Sequence, residues 1–185
     1  MKHSRIMAGA AAVALLAMLG SPASAGSDDD RGKLKAKLKG FEEIPTLSTP
    51  GNGEFKAKIS GDEESVEFKL SYADLESQVT QAHIHLGAKA FNGGIMVFLC
   101  SNLPSPPPGT QACPVPSGTV KGTFRAADVI GPAGQGISPD EFEETLRAMR
   151  AGATYANVHT TLRPGGEIRG QIKKDDDDDH GDHDD

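Results

Sequence analysis

Apolar and polar residues alternate with a period of two along most of this chain. Phe55, Ala57 and Ile59 alternate with Glu54, Lys56 and Lys58 between Gly53 and Ser60. Val66, Phe68 and Leu70 alternate with Ser65, Glu67 and Lys69 between Glu64 and Tyr72. Successive strand side chains point to opposite faces, so each run predicts a strand with one face on a core. Gly61-Asp62 supplies turn chemistry between them, which makes the pair a hairpin. Upstream, Lys33, Lys35, Lys37 and Lys39 alternate with Leu34, Ala36, Leu38 and Gly40, as the solvated face of a first strand would. Gln81–Leu86 and Gly94–Cys100 form a second pair around residues 87–93, and Ser117–Phe124 is a further strand. Tyr155–Leu162 and Glu167–Ile172 form a last hairpin, closed by Arg163-Pro164-Gly165-Gly166.

One segment has the helical period instead. Ser138-Pro139-Asp140-Glu141 places Ser at an N-cap, Pro at the first helical position and Glu at the third. Phe142, Leu146 and Met149 follow at helical spacing, and Gly152 can end the helix. The whole pattern predicts an all-β fold, an antiparallel sandwich or barrel of about seven to eight strands with one short crossover helix.

The two ends do not share this pattern. Lys2 and Arg5 precede an apolar run from Ile6 to Leu19, and Ser21-Pro22-Ala23-Ser24-Ala25 supplies small residues at an Ala-x-Ala step. This is the layout of a secretory signal cleaved after Ala25. The run is shorter than the roughly 20 residues a membrane-spanning helix needs, so no transmembrane segment is expected after cleavage. Residues 1–25 are thus expected to be a signal peptide, 26–32 a flexible lead and 33–174 the β domain. Residues 175–185 hold eight of the 26 acidic residues and no Lys or Arg, which predicts a disordered acidic tail. Within it Asp179, His180, Asp182 and His183 are candidates for weak divalent-cation binding, without the fixed spacing of a calcium loop. Solubility or surface charge is the other role open to the tail.

Export changes the reading of the cysteines. Cys100 and Cys113 flank a Pro-rich segment that no helix or strand could use, and in an oxidising compartment such a pair is expected to be bridged. On the chain-entropy model a bridge of this span contributes about 3 kcal/mol. The expected location is periplasmic or secreted. Outside the signal and the tail, 17 basic side chains face 18 acidic ones, which excludes the strongly basic field of a nucleic-acid binder.

Four stretches resemble the CHRD domain, the module named after chordin. They are Leu38-Lys39-Gly40-Phe41-Glu42-Glu43-Ile44-Pro45, Ala82-His83-Ile84-His85-Leu86-Gly87, Tyr155-Ala156-Asn157-Val158-His159-Thr160 and Pro164-Gly165-Gly166-Glu167-Ile168-Arg169-Gly170-Gln171. The chain departs from the pattern in the Pro-rich cysteine loop and in Ile44-Pro45-Thr46, where the family more often carries a second proline. The resemblance implies an all-β extracellular domain in an exported bacterial protein. It carries no established reaction, and fold alone transfers none.

The domain's three histidines all lie in these motifs. His83 and His85 share one strand face, with Ala82, Ile84 and Leu86 opposite; Tyr155, Asn157, His159 and Thr161 share another, opposite Ala156, Val158 and Leu162. Neighbouring strands would bring His83, His85 and His159 to one polar face with Asn157, Glu167 and Arg169. A His-x-His pair with a third histidine is a first shell for copper or zinc. Ala82-His83-Ile84-His85 is also similar to the copper-ligand strand of Cu,Zn superoxide dismutases, although the bridging histidine and zinc loop of that family are missing. The alternative is a structural hydrogen-bonded network, with Glu167 and Arg169 paired along the strand. No Gly-x-Ser-x-Gly turn or phosphate-cradling loop is present. The expectation is therefore a non-enzymatic extracellular or periplasmic module binding an unknown protein or small ligand. A copper or zinc protein, with superoxide dismutase-like redox activity, is the alternative.

Overall fold

Every alternating run becomes a strand in the computed structural model, which describes residues 32–175. The strands are β1 (Lys33–Lys39), β2 (Asn52–Ile59), β3 (Val66–Ala73), β4 (Val79–Leu86), β5 (Ile95–Ser101), β6 (Gly118–Phe124), β7 (Thr154–Thr160) and β8 (Ile168–Lys174). All pair antiparallel in one sheet of order β5-β4-β7-β8-β1-β2-β3-β6. The sheet curls into a nearly closed barrel, which buries the apolar half of each strand inside. Leu34, Leu38, Phe55, Leu70, Ile84 and Ile168 are fully buried there. Each such side chain contributes on the order of 1.5–3 kcal/mol relative to exposure. Phe55, Phe68 and Phe124 run through this interior with ring centroids 6.5 and 6.3 Å apart.

The first and last strands of the order, β5 and β6, face each other across the one seam that has no strand ladder. The Pro-rich loop lies there, its base closed by the Cys100–Cys113 disulfide. The Gln111 side chain donates to Leu99 O on β5 (3.4 Å) and to Lys121 O on β6 (3.0 Å), and Gln111 O accepts from Ser101 N (2.9 Å). The segment that departs from the family pattern is thus what spans the wall's gap.

Between β6 and β7 runs α1 (Phe142–Arg150). It buries Leu146 and Met149 in the core and sets Phe142 edge-on against Phe124 at 6.1 Å. Its start differs from expectation. Ser138 is not the N-cap, because Asp140 adopts φ 67° and turns the chain before the helix begins at Phe142. The Glu141 carboxylate does reach back to Ser138 N (2.6 Å), so one contact of the expected box forms without the helical turn. Gly152, at φ 68°, ends the segment as anticipated. Thr161 and Leu162 also differ: β7 stops at Thr160, which leaves both exposed in the following turn, Thr161 off the histidine face and Leu162 away from the core.

Candidate metal centre

Strand parity puts the three histidines on the outer surface of the barrel wall. His83 lies opposite Asn157, His85 opposite Tyr155, and Gln81 opposite His159 across the β4–β7 ladder. His83 and His159 are therefore diagonal neighbours, and the strand order makes all three adjoin. Their ring centroids are 5.0 Å (His83–His159), 5.4 Å (His83–His85) and 6.1 Å (His85–His159) apart. One ring nitrogen from each lies within 4.8 Å of the others.

The face is the one the sequence assigned, but it is not solvated. His83, His85 and His159 are all buried, as is every residue of β7. Loops roof this part of the wall. The β4–β5 loop presents Gly93 O to His85 Nδ1 (3.0 Å), and the β7–β8 turn presents Pro164 O to His159 Nδ1 (3.0 Å). A carbonyl only accepts, so both Nδ1 atoms carry the proton and both Nε2 atoms keep a free lone pair. His83 Nδ1 then donates to His159 Nε2 (3.3 Å). This leaves His83 Nε2 and His85 Nε2 buried without a partner; the other such atom among the described residues is Thr154 Oγ1.

Burial holds the imidazoles neutral. Desolvation, with smaller contributions from His159 and His85, pushes His83 down to about 2. His85 falls to about 4, again chiefly by desolvation and against its bond to Gly93. His159 is lowered by burial despite its bond to Pro164. His85, with Nδ1–H anchored on a carbonyl and Nε2 free, has the tautomer and orientation that metal ligation requires; His159 is anchored in the same way, but its Nε2 accepts from His83 Nδ1, so ligation through His159 replaces that contact. The donor set fits copper or zinc: imidazole nitrogens without a carboxylate among them.

The walls are aromatic. Phe98 of β5 meets His83 edge-on at 4.3 Å, and Tyr155 stacks on His85 at 4.8 Å and 4°. Arg169 covers the far side of Tyr155, its guanidinium carbon 3.4 Å from the ring centroid. The same guanidinium donates to Phe91 O (2.6 Å), Asn92 Oδ1 (3.0 Å) and Ala88 O (3.4 Å), while Tyr155 Oη accepts from Gly93 N (3.1 Å). Arg169 thereby clamps the loop that orients His85.

Arg169 is therefore not paired with Glu167. The parity of β8 begins at Ile168 and does not extend back to Glu167. That carboxylate instead accepts from Thr160 Oγ1 (2.7 Å), Thr49 Oγ1 (2.8 Å) and Glu76 N (2.8 Å), away from the histidines. Asn157 does share the histidine face, and it exposes a residue the sequence reading missed. Its Nδ2 donates to Glu43 Oε1 (2.5 Å) and to Ile168 O (2.9 Å). Burial pushes Glu43 up to about 7, opposed by the Asn157 bond and by Arg169. A Cβ on Gly166 would lie 2.6 Å from Glu43 Oε1 and 2.7 Å from Asn157 Nδ2, at a φ of 126°. Glycine there makes room for the pair. The signal available for Glu43 was its place in the Leu38–Pro45 motif. Tyr155 could have been found from its position four residues before His159 on the same strand face. The tail candidates Asp179, His180, Asp182 and His183 lie outside the described residues. No helix among the described residues is long and apolar enough to cross a membrane.

No curated protein and no solved structure matches the chain. The CHRD domain family model does match, over residues 34–172. That span runs from the first strand to the last and contains all three histidines, Glu43, Asn157 and Arg169, so the chain belongs to the CHRD domain family.

Proposed function

We propose that this CHRD module is exported to the periplasm or the cell exterior and binds one copper or zinc ion at His83, His85 and His159. Export rests on the signal pattern of residues 1–25 and is compatible with the disulfide. Metal binding rests on one observation above the others: two buried imidazole Nε2 atoms without partners, beside a third whose Nδ1–H is anchored on a backbone carbonyl. A buried polar atom without a partner costs about 1–3 kcal/mol, and a cation accepting these lone pairs would remove that cost. The reading is one of binding, and no redox step is assigned to it.

A second reading has its own support. The His83–His159 contact already satisfies one nitrogen of each ring, as a purely structural network would. Titration of the full chain carrying His180→Ala and His183→Ala separates the two, because the tail then offers no imidazole. Zn²⁺ or Cu²⁺ should bind with one-to-one stoichiometry and raise the thermal midpoint, by about 2.7 kcal/mol of stability at a free concentration of 100 Kd. Adding His83→Ala should abolish both effects. Binding that survives His83→Ala, or no rise in midpoint, returns the cluster to the structural reading.

A further inference from the structure

The histidine cluster has two properties that decide between ions. The first is charge. The three imidazoles come together without a carboxylate among them. The two buried acids among the described residues are committed elsewhere. Glu43 accepts from Asn157 Nδ2 (2.5 Å), and Glu167 accepts from Thr160 Oγ1 (2.7 Å) and Thr49 Oγ1 (2.8 Å). A positive charge does stand close. Arg169 lies over Tyr155, which stacks on His85, and the guanidinium adds to the cost of charging that imidazole. Three neutral ligands give a bound ion no countercharge, and the cost of burying an ion rises with the square of its charge. A monovalent ion is therefore penalised much less here than a divalent one.

The second property is ligand number. Zn²⁺ takes four ligands, and where a protein supplies three the fourth position stays open to solvent or substrate. Here all three imidazoles are buried, His83 completely. The walls supply no fourth ligand: the Phe98 ring against His83 has no donor atom, and the Tyr155 hydroxyl is bonded to Gly93 N (3.1 Å). Cu²⁺ favours a tetragonal set of nitrogen and oxygen ligands, which is also incomplete here. Cuprous copper, with a filled d shell, is satisfied by two or three donors. Two are ready, since His83 Nε2 and His85 Nε2 are buried without partners. His159 can serve as the third, or stay on His83 Nδ1 (3.3 Å) and hold that ring in place.

We propose that the cluster is a cuprous site, which takes one Cu⁺ ion and discriminates against Zn²⁺ and Cu²⁺ by charge and by ligand number. The proposal rests on the metal-binding reading above and narrows it to the monovalent ion. An ion held under the roof is shielded from solvent, which suits carrying or sequestering copper.

Competition against chelators of known affinity, on the full chain carrying His180→Ala and His183→Ala, tests it. Cu⁺ is titrated without oxygen and with ascorbate, Zn²⁺ and Cu²⁺ separately, and only binding that His83→Ala removes is counted. Cu⁺ should bind one to one, at least about 100-fold more tightly than either divalent ion. The copper absorption edge should be that of a low-coordinate cuprous ion with nitrogen neighbours. Phe98 is half-buried beside His83, so Phe98→Asp offers the cluster the missing carboxylate at little cost to the core. It should reduce the preference for Cu⁺ over Zn²⁺ by at least about tenfold. Zn²⁺ or Cu²⁺ held as tightly as Cu⁺ would overturn the cuprous assignment and leave the metal-binding reading standing. An unchanged preference in folded Phe98→Asp would overturn it as well. Absence of His83-dependent binding by all three ions would overturn both.

Discussion

The outer wall of the barrel has two halves built by the same rule, and they end in opposite environments. On β4 and β7, His83, His85, Tyr155, Asn157 and His159 point away from the core and are all buried, with only Gln81, near the start of β4, half-buried on that face. On β2 and β3 the same parity gives Lys56, Lys58, Glu67 and Lys69, and every one is exposed. The difference comes from the connections. The 87–93 loop, the segment around Glu43 and the 163–166 turn fold back over the first half, and none folds over the second. Strand alternation therefore decides which side of the wall a residue occupies, while loops decide whether that side meets water. Desolvation under the roof keeps His83 and His85 uncharged at pH values where an exposed imidazole would be protonated.

The strongest way to break this contrast is to remove the clamp. Arg169→Ala deletes the stack on Tyr155 and all the guanidinium's bonds to the 87–93 loop. Breaking a buried, charge-assisted network of this kind costs about 3 kcal/mol, which urea denaturation would read. The same change should let His85 titrate closer to its ordinary value, visible in its NMR shift against pH.

A smaller effect follows from acidification. His83 and His85 have folded values well below their unfolded value of 6.5, so their contribution is present above about pH 6.5 and is lost as pH falls. Between pH 7 and pH 5 the unfolded chain takes up these protons and the folded chain does not, which removes about 2 kcal/mol per imidazole. Glu43 has the opposite sign. Its folded value of about 7 exceeds its unfolded value of 4.5, so its contribution is full at low pH and is lost as pH rises through 7. It returns about 2 kcal/mol over the same interval. Stability should therefore fall on going to pH 5, and fall by about 2 kcal/mol more in Glu43→Gln. Equal losses in the two proteins would show that Glu43 is already ionised under the roof.

The smallest effect belongs to the open half. Lys69→Gln should change unfolding free energy by less than about 0.5 kcal/mol, because no roof or core contact is lost. A change of several kcal/mol would mean that this half is covered as firmly as the other.

The strands were legible because a period of two survives any tertiary arrangement that gives them one buried face. The convergence of His83, His85 and His159 was legible for the same reason, once β4 and β7 proved to be neighbours. Exposure was not legible, since nothing in Ala82–Leu86 says that a loop will return over it. Glu167 was misplaced because parity was carried one residue past the start of β8, into the turn. Ser138 was misplaced because a capping sequence cannot show that Asp140 will turn to positive φ first. Glu43 was invisible as a site residue because its partner Asn157 is 114 residues away in the chain.

The seam between β5 and β6 has a consequence for how the protein can fail. A cylinder with a complete ring of ladders has no unpaired strand edge, but this one has two, and non-strand groups cover them: Gln111 and, at Met96 O, the backbone N–H of Ile130 (2.9 Å). The Gln111 loop is tied down by the Cys100–Cys113 bond. Reduction of that bond frees the loop to lift while the seven ladders stay intact, and it uncovers carbonyl and amide groups that a second molecule's strand can pair with. A reducing environment would then turn the folded protein into a template for self-association, and the damage would appear as loss of solubility before any loss of fold.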